Sequence, residues 1–243
     1  MIATRGWICA AFLALCSAAA PQAAAVPYPT EPQFRSAIAD AAVVARAENL
    51  RLEILDAHRE GITRPLMSAG LSLGDGVCVV FYNTTPLAEL QVFFESVHPA
   101  DLPVWLDALA VHEVAHCIEQ REAYVNKRFV KVLPPGMKLD DQTTQGYLSI
   151  VKSGAVGAWG EAFADIVAVL YLKQALPDHW RGYAAQLADM RAERGRTDPE
   201  HNTAPWLRAV IAAGAQPAPG QSLYEAAFEM RTRFRPDPAA PAE

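Results

Sequence analysis

The sequence contains no concentration of positive charge and, beyond its first 25 residues, no long hydrophobic run. Its 243 residues carry 21 basic and 27 acidic side chains, a formal net charge of −6 at pH 7. No cluster of Lys and Arg is present that would suit a nucleic acid or an anionic membrane. A transmembrane helix needs about 20 consecutive apolar residues, and no later stretch resembles one. We therefore expect no nucleic-acid partner and no membrane span.

The apolar segment at the start has the pattern of a secretory signal peptide over residues 1–25. Arg5 supplies a positive charge, and residues 6–20 are apolar but too short to span a bilayer. Residues 23–25 are alanines, the small side chains that a signal peptidase needs. We predict a mature chain that begins near Val26 and is exported to a bacterial periplasm or out of the cell.

Cysteine is scarce, and two of the four cysteines lie in this leader. A lipoprotein modified at Cys16 is the less favoured alternative, because the bulky Leu15 stands where a small residue normally precedes the modified cysteine. Cys78 and Cys117 remain in the mature chain. In an oxidising compartment they could form a disulfide that ties a strand to the central helix, and two buried thiols are the alternative.

Internal repeats are also missing, and the mature chain has an ordinary size for one domain with its own core. We predict a single domain over residues 26–235. The tail, residues 236–243, is rich in Pro and Ala and is predicted to be disordered. The oligomeric state does not follow from the sequence.

The apolar pattern predicts a mostly helical α+β fold with a small β-sheet ahead of a central helix. Residues 33–60 show helical periodicity and are predicted as one long helix or two consecutive ones, ended by Gly61. Residues 77–83 and 90–95 are rich in β-branched and aromatic side chains, which predicts two strands. Residues 103–124 contain no glycine and no later proline, and they suit the central helix.

Helices also dominate the C-terminal part of the chain. A polar loop over residues 133–146 precedes a helix that is apolar almost all round over residues 161–172. A further helix is predicted over residues 179–194. Thr203 is predicted to cap the next one, and Ser222 begins a capping-box pattern for the last.

The stretch His112-Glu113-Val114-Ala115-His116 in the central helix carries the strongest chemical signal. The two histidines are four residues apart and share one helix face, so that both imidazoles can reach one zinc ion. Glu113 then points toward whatever lies beside the metal. An accidental match, with two histidines on a solvated face, is the alternative.

The buried helix carries a second signal, the carboxylates Glu161 and Asp165, which are four residues apart on one face. Two carboxylates in a buried helix are costly unless a cation meets them. A zinc ion and a ligating histidine would satisfy both. An Arg or Lys from another helix would do so as well.

Together these residues resemble the gluzincin branch of the zinc-dependent metallopeptidases. The resemblance is confined to the HExxH stretch, to the spacing of Glu161 and Asp165, and to the order of a strand before the helix. It implies a zincin-like fold in which His112, His116 and Glu161 bind one Zn²⁺ ion per chain. It also implies that Asp165 orients His112 from behind.

The metzincin branch fits less well. It requires a glycine three residues after the second histidine and a third histidine three residues beyond that glycine. Those positions are Glu119 and Glu122 in this chain. Without the glycine the central helix should continue and carry Glu122 away from the metal.

The resemblance implies an exported zinc metallopeptidase that hydrolyses peptide bonds in a peptide or protein substrate. Three protein ligands leave a fourth zinc position for a water molecule, and Glu113 is the predicted general base. His201 lies in a loop before a helix, and we name it as the second catalytic candidate. A plain surface histidine is its alternative, and Tyr147 and Tyr124 are the other candidates for stabilising an oxyanion.

Two further functions remain open for the same sequence. One is a zinc-binding module that does not cleave, or that cleaves a single partner. The other is a helical exported binding protein in which the HExxH stretch occurs by chance. The pattern does not distinguish an endopeptidase from an exopeptidase and does not name the substrate.

Overall fold

The computed structural model describes residues 28–87, 94, 97–139 and 141–236, and it has a mostly helical α+β fold with a small sheet. The predicted leader at residues 1–25 lies outside the described residues, and so does the predicted tail beyond Pro236. Of the strand predicted at residues 90–95, only Phe94 is described; it is helical and not extended, so the prediction is wrong at this residue, and its side chain is buried.

The elements follow one another along the chain and are labelled here in that order. They are α1 Glu31–Ala47, β1 Arg51–Asp56, β2 Met67–Leu71, β3 Val77–Tyr82, α2 Leu102–Gln120, α3 Phe129–Val132, α4 Thr144–Lys152, α5 Gly157–Ala175, α6 Trp180–Arg194, α7 Ala204–Ala213 and α8 Leu223–Arg233. Short 3-10 turns occupy Pro99–Asp101 and Pro199–His201, and a π-helical turn, Arg121–Val125, extends α2.

The first predicted helical segment is wrong in its second half. α1 ends at Ala47, and Asn49 takes the left-handed conformation, with φ 56°. Half-buried Leu52 and Ile54 then alternate with exposed charged residues in β1, which pairs in parallel with β3. Six residues of alternating apolar and polar character fit a strand as well as a helix, and pairing with β3 decides between them. The helix predicted over residues 33–60 is therefore a helix followed by a strand.

The strand predicted at residues 77–83 is confirmed as β3, which lies in the middle of a three-stranded sheet of order β1-β3-β2. β1 runs parallel to β3, and β2 runs antiparallel to it. The sequence does not single out β2, whose central residues are Ser68, Ala69 and Gly70. The predicted order, a small sheet ahead of the central helix, is present.

A disulfide joins the sheet to α2. Cys78 of β3 and Cys117 of α2 are bonded, with their Cα atoms 5.7 Å apart, and both residues are buried. Of the two alternatives for these cysteines, the structure has the bridge. It fixes β3 beside the turn of α2 that carries His116.

α2 and α5 pack against each other at the centre of the helical part. The predicted buried helix is confirmed as α5, in which every residue from Ala162 to Leu170 is buried. α1 covers α2, while α6, α7 and α8 pack around α5. Among the described residues, no single helix is long and apolar enough to cross a membrane; the sharply bent pair Thr144–Lys152 and Gly157–Ala175 meets that criterion by length and composition only.

The end of α2 and the loop after it differ in detail from the prediction. Glu122 lies in the π-helical turn that continues α2, as predicted, and it pairs with Lys131, 3.4 Å away. The predicted loop over residues 133–146 is shorter, because α4 begins at Thr144. A Cβ atom at Gly146 would lie 2.1 Å from the carbonyl oxygen of Asp141, so only glycine allows the loop to pass this close to the helix.

Candidate metal centre

The two histidines of the HExxH stretch face the same side of α2. Their Nε2 atoms are 3.1 Å apart, and their rings meet edge to face with centroids 4.8 Å apart. The i, i+4 spacing places one ring a single turn above the other. His112 is buried, and the side chain of His116 is 20 % exposed, so the pair is open to solvent on one side only.

Glu161 of α5 brings a carboxylate to this pair. Its Oε2 lies 3.6 Å from His112 Nε2, and its Oε1 lies 3.4 Å from His116 Nε2. One ligand atom from each of the three residues lies within 4.8 Å of the others. The three side chains, taken from two helices, therefore form a group that could hold a metal ion.

The donor set and its spacing fit zinc. Two imidazole nitrogens and one carboxylate oxygen are the protein ligands of many catalytic zinc sites, which keep a fourth position open. Bonds of about 2.0–2.1 Å in a tetrahedron place neighbouring donor atoms about 3.3 Å apart. The separations of 3.1, 3.4 and 3.6 Å among these donors lie around that value.

Asp165, one turn after Glu161 on α5, contacts the other nitrogen of His112. Its Oδ1 lies 2.9 Å from His112 Nδ1, and the aspartate is fully buried. An Nδ1–H that donates to a carboxylate leaves the lone pair on Nε2, the atom that faces His116 and Glu161. The arrangement thus fixes His112 in the tautomer that a metal ligand requires.

Arg191 of α6 is a part of this site that the sequence did not reveal. It donates two hydrogen bonds to Asp165, of 2.7 and 2.8 Å, and a third of 3.2 Å to Oε2 of Glu161. An arginine from another helix, one of the two alternatives for the carboxylate pair, is therefore present beside a histidine, and the zinc ion stays a prediction. Nothing in the polar sequence of α6 marks Arg191 among its other arginines.

Thr203 is the second unexpected member. It stands at the N-cap of α7 as predicted, but its side chain caps no backbone N–H. Its hydroxyl instead donates to Oδ2 of Asp165, and the residue is fully buried. The cap prediction is right in position and wrong for the side chain, because the hydroxyl is turned toward Asp165 and does not accept from the first backbone N–H groups of α7.

The charged groups around Glu161 and His116 shift the pKa values of both side chains. Burial raises the pKa of Glu161, but the hydrogen bond and charge of the histidines and of Arg191 outweigh it and lower that pKa to about 2. Burial lowers the pKa of His116, but Glu161 outweighs it and raises that pKa to about 9. Two ionised carboxylates thus face one arginine, and without a bound ion a protonated His116 supplies the second positive charge.

Glu113 lies beside this group but makes no hydrogen bond or ion pair with another residue in the described part of the chain. It is 9 % exposed, and burial raises the pKa of its carboxyl group, while the nearby histidines lower it. A carboxylate that is buried, unpaired and next to candidate metal ligands is suited to accepting and releasing a proton.

His201 is the one of the three oxyanion candidates that contacts a candidate ligand within the described ranges. Its Nε2 lies 3.8 Å from Glu161 Oε2, and its Nδ1 lies 2.7 Å from Asp198 Oδ2. Tyr124 and Tyr147 pack against each other with ring centroids 5.4 Å apart. Neither hydroxyl group is paired with a candidate ligand among the described residues, so the contact with Glu161 is what distinguishes His201.

The described surface has an open cleft near each end of α5. The larger, about 470 Å³, is lined by residues such as Lys173 and Pro217 at the C-terminal end of α5, away from the histidines. The smaller, about 270 Å³, is lined by Ala158, Trp159 and the turn that contains Glu200. None of the candidate ligands lines either cleft, but the smaller cleft is lined by two residues of the 3-10 turn that carries His201.

Comparison with known proteins adds no relative. No protein-family model, no curated protein and no solved structure matches the chain. The case for a function therefore rests on the chemistry of the group itself.

Proposed function

We propose that the protein is an exported zinc-dependent metallopeptidase with a zincin-like active site. One observation carries the proposal: His112, His116 and Glu161 present their donor atoms to one another at the spacing of zinc ligands, with the unpaired carboxylate of Glu113 beside them. A surface pair of histidines would need neither a carboxylate from a distant helix nor Asp165 behind it. Peptide-bond hydrolysis is the reaction that this set of groups suits best.

In this proposal His112, His116 and Glu161 hold the ion, and Asp165 and Arg191 hold the ligands. A bound zinc ion supplies Lewis acidity, which lowers the pKa of a coordinated water to about 7 and polarises a substrate carbonyl. Asp165 accepts a hydrogen bond from the Nδ1–H of His112, which leaves the Nε2 of that ring for the ion. Arg191 keeps both carboxylates ionised. The fully buried Asp165 gives this arrangement little freedom to move.

Glu113 and His201 would carry the proton and charge movements. Glu113 accepts a proton from the attacking water and passes it to the leaving amine, and its raised pKa brings it nearer to the working pH. Asp198 orients the ring of His201 so that Nε2 faces the ligand group. From there an Nε2–H can donate to a developing oxyanion, a contribution of about 3 kcal/mol for such a donor.

The export that we propose has support beyond the leader. A disulfide such as Cys78–Cys117 persists in an oxidising compartment, for example the periplasm or the medium outside the cell. The substrate in this proposal is a peptide or protein that reaches the same compartment. The smaller cleft, beside the turn that carries His201, is where we place its entry.

A zinc-binding module that does not cleave, or that cleaves one partner, is the second candidate. The contact of Arg191 with Oε2 of Glu161, 3.2 Å long, favours it, because the arginine competes with a metal for that oxygen. In this case the protein would bind zinc without hydrolysing a broad library of peptides. A helical binding protein with a chance motif would carry no stoichiometric metal.

Elemental analysis of the purified mature protein, beside Glu161→Ala, tests the proposal. We expect about one zinc per chain in the wild type and loss of more than half of it in the variant, since one of three ligands is gone. Glu193→Ala, which removes an exposed carboxylate of α6, is the matched control and should keep its zinc. Wild-type protein that contains no zinc, and takes up none, would contradict the proposal.

A further inference from the structure

A second buried charge lies one turn further along α2. Arg231 of α8 is fully buried, and its guanidinium is ion-paired with Glu119 of α2. The same nitrogen, Nη1, donates a hydrogen bond of 2.9 Å to the carbonyl oxygen of Trp159 on α5. One side chain from the last helix thus binds α2 and α5 at once.

Several other groups hold the guanidinium in place. Its Nη2 lies 3.4 Å from the carbonyl oxygen of Lys131 and 3.5 Å from that of Val132. The ring of Trp159 lies 4.3 Å from the guanidinium carbon, and the rings of Phe163 and Phe228 lie just over 5 Å away. A planar cation with bonds at its edge and aromatic rings at its faces has little freedom to shift.

This pair sits next to the candidate metal ligands on both helices. Glu119 follows His116 by three residues, so the two share a helix face. On the other helix, Trp159 and Gly160 immediately precede Glu161. A Cβ atom at Gly160 would lie 3.1 Å from Oε2 of Glu119, which shows how closely the two helices approach here.

We propose that Glu119 and Arg231 are positioning residues, which hold His116 and Glu161 at ligand distance by fixing α2 against α5. Replacing a buried ion pair by apolar residues of similar size is often neutral for stability, so stability alone does not explain the pair. A metal site, in contrast, requires its ligand atoms to be held within about 0.5 Å of their binding positions. The inference rests on the proposed metal site but not on peptidase activity.

The double variant Glu119→Leu with Arg231→Met tests this role, because it removes both charges and leaves a filled, apolar contact. We expect it to unfold near the wild-type temperature but to bind Zn²⁺ and Co²⁺ about 10- to 100-fold more weakly, the usual effect of losing a group that orients ligands. The absorption bands of bound Co²⁺ should also change, since they report ligand geometry. Wild-type affinity and wild-type Co²⁺ bands in the double variant would overturn the inference.

The matched control makes the same changes in a partly buried pair away from Arg231, Glu48→Leu with Arg121→Met. That pair joins the end of α2 to the end of α1, so its loss should leave metal affinity within about twofold. If the double variant at Glu119 and Arg231 does not fold, Arg231→Lys decides. A lysine keeps the charge but lacks the planar guanidinium that also reaches the carbonyl oxygens of Lys131 and Val132 and stacks on Trp159, so metal binding should weaken, and wild-type affinity would contradict the inference. A wild-type protein that binds neither ion would instead overturn the proposed metal site itself.

Discussion

Two buried charge clusters follow each other along α2, and they differ in how completely their charges are balanced. In the first, Glu161 and Asp165 face a single arginine, Arg191, and two imidazoles that are neutral unless protonated. In the second, Glu119 faces Arg231 one to one, and carbonyl oxygens and aromatic rings contact the guanidinium, whose Nε has no hydrogen-bond partner among the described residues. The first cluster has a place for a cation, and the second has none.

The comparison shows how one helix separates binding from positioning. Burying an ionised carboxylate costs free energy unless a nearby cation compensates for the lost hydration. Where one protein side chain supplies the whole compensating charge, as Arg231 does for Glu119, the result is a fixed ion pair. Around Glu161 the cations of the protein do not fully compensate the carboxylates, so a metal ion can add the missing positive charge. The side chains that would bind this ion are candidates for catalysis.

The largest expected effect comes from Glu113→Gln, which separates chemistry from binding inside the first cluster. We expect turnover of peptides to fall about 10²- to 10⁴-fold, because a general acid–base contributes about that much. Zinc content should stay at the wild-type level, since Glu113 is not a ligand. Asp107→Asn, an equal change of charge on the same helix, should leave turnover unchanged. Hydrolysis at the wild-type rate by Glu113→Gln would show that another group is the base.

The next-largest effect concerns the free energy of unfolding, which should fall by different amounts when Arg231 and Arg191 are replaced. Arg231→Met leaves Glu119 buried without its cation, and we expect the free energy of unfolding to fall by about 3–5 kcal/mol. Arg191→Met should cost less, because a protonated His116 remains beside the carboxylates. Saturating zinc should reduce the loss in Arg191→Met but not the loss in Arg231→Met. Denaturant titrations with and without zinc measure all four values, and equal rescue of both variants would remove the distinction between the clusters.

Removal of zinc from the wild type should have a smaller effect. A ligand present at 100 times its Kd stabilises the folded state by about 2.7 kcal/mol, and a strong chelator should abolish this gain. The disulfide Cys78–Cys117 and the second cluster remain, so the metal-free protein should stay folded with its far-UV circular dichroism intact. A melting temperature that is independent of zinc would show that the first cluster does not hold the ion in its folded form.

The smallest effect should come from Asp107, a carboxylate of α2 that pairs with no cation among the described residues. Burial, together with the charge of Asp40, raises its pKa from 3.8 to about 6. The folded state therefore disfavours the ionised form, and stability falls as the pH rises from about 4 to about 6. Asp107→Asn should be more stable than the wild type above pH 6, by about 1 kcal/mol at most because the group is half exposed, and equal to it near pH 3. Asp178→Asn, an exposed change of the same kind, should show no such trend in thermal melts across this pH range.

The sequence contains enough to predict the elements that carry the site. An i, i+4 pair of histidines fixes a helix face, and an apolar sequence on all faces requires a buried helix, as α5 is. Position in the chain also indicates a sheet before α2. The strand β1, which contains Leu52 and Ile54, could not be predicted in this way. Its six residues of mixed pattern take their conformation from pairing with β3 rather than from local preference.

Contacts between distant elements are what the sequence does not contain. Arg191 resembles the other arginines of α6, and only the fold brings it to Asp165. Thr203 carries the same hydroxyl whether it caps a helix or meets a buried carboxylate. Likewise, Arg231 lies in a helix with an ordinary polar sequence, yet it is the most completely buried cation among the described residues. Such roles depend on tertiary packing, which local pattern does not encode.

X-ray absorption at the zinc edge of the purified, zinc-loaded protein tests the central claim most directly. If His112, His116 and Glu161 hold the ion, the spectrum should require two imidazole nitrogens and a carboxylate oxygen at about 2.0–2.2 Å, with one further light atom. Asp165→Asn should keep this coordination at lower affinity. A spectrum without imidazole scattering, or with sulfur or solvent oxygen alone around the zinc, would contradict the account.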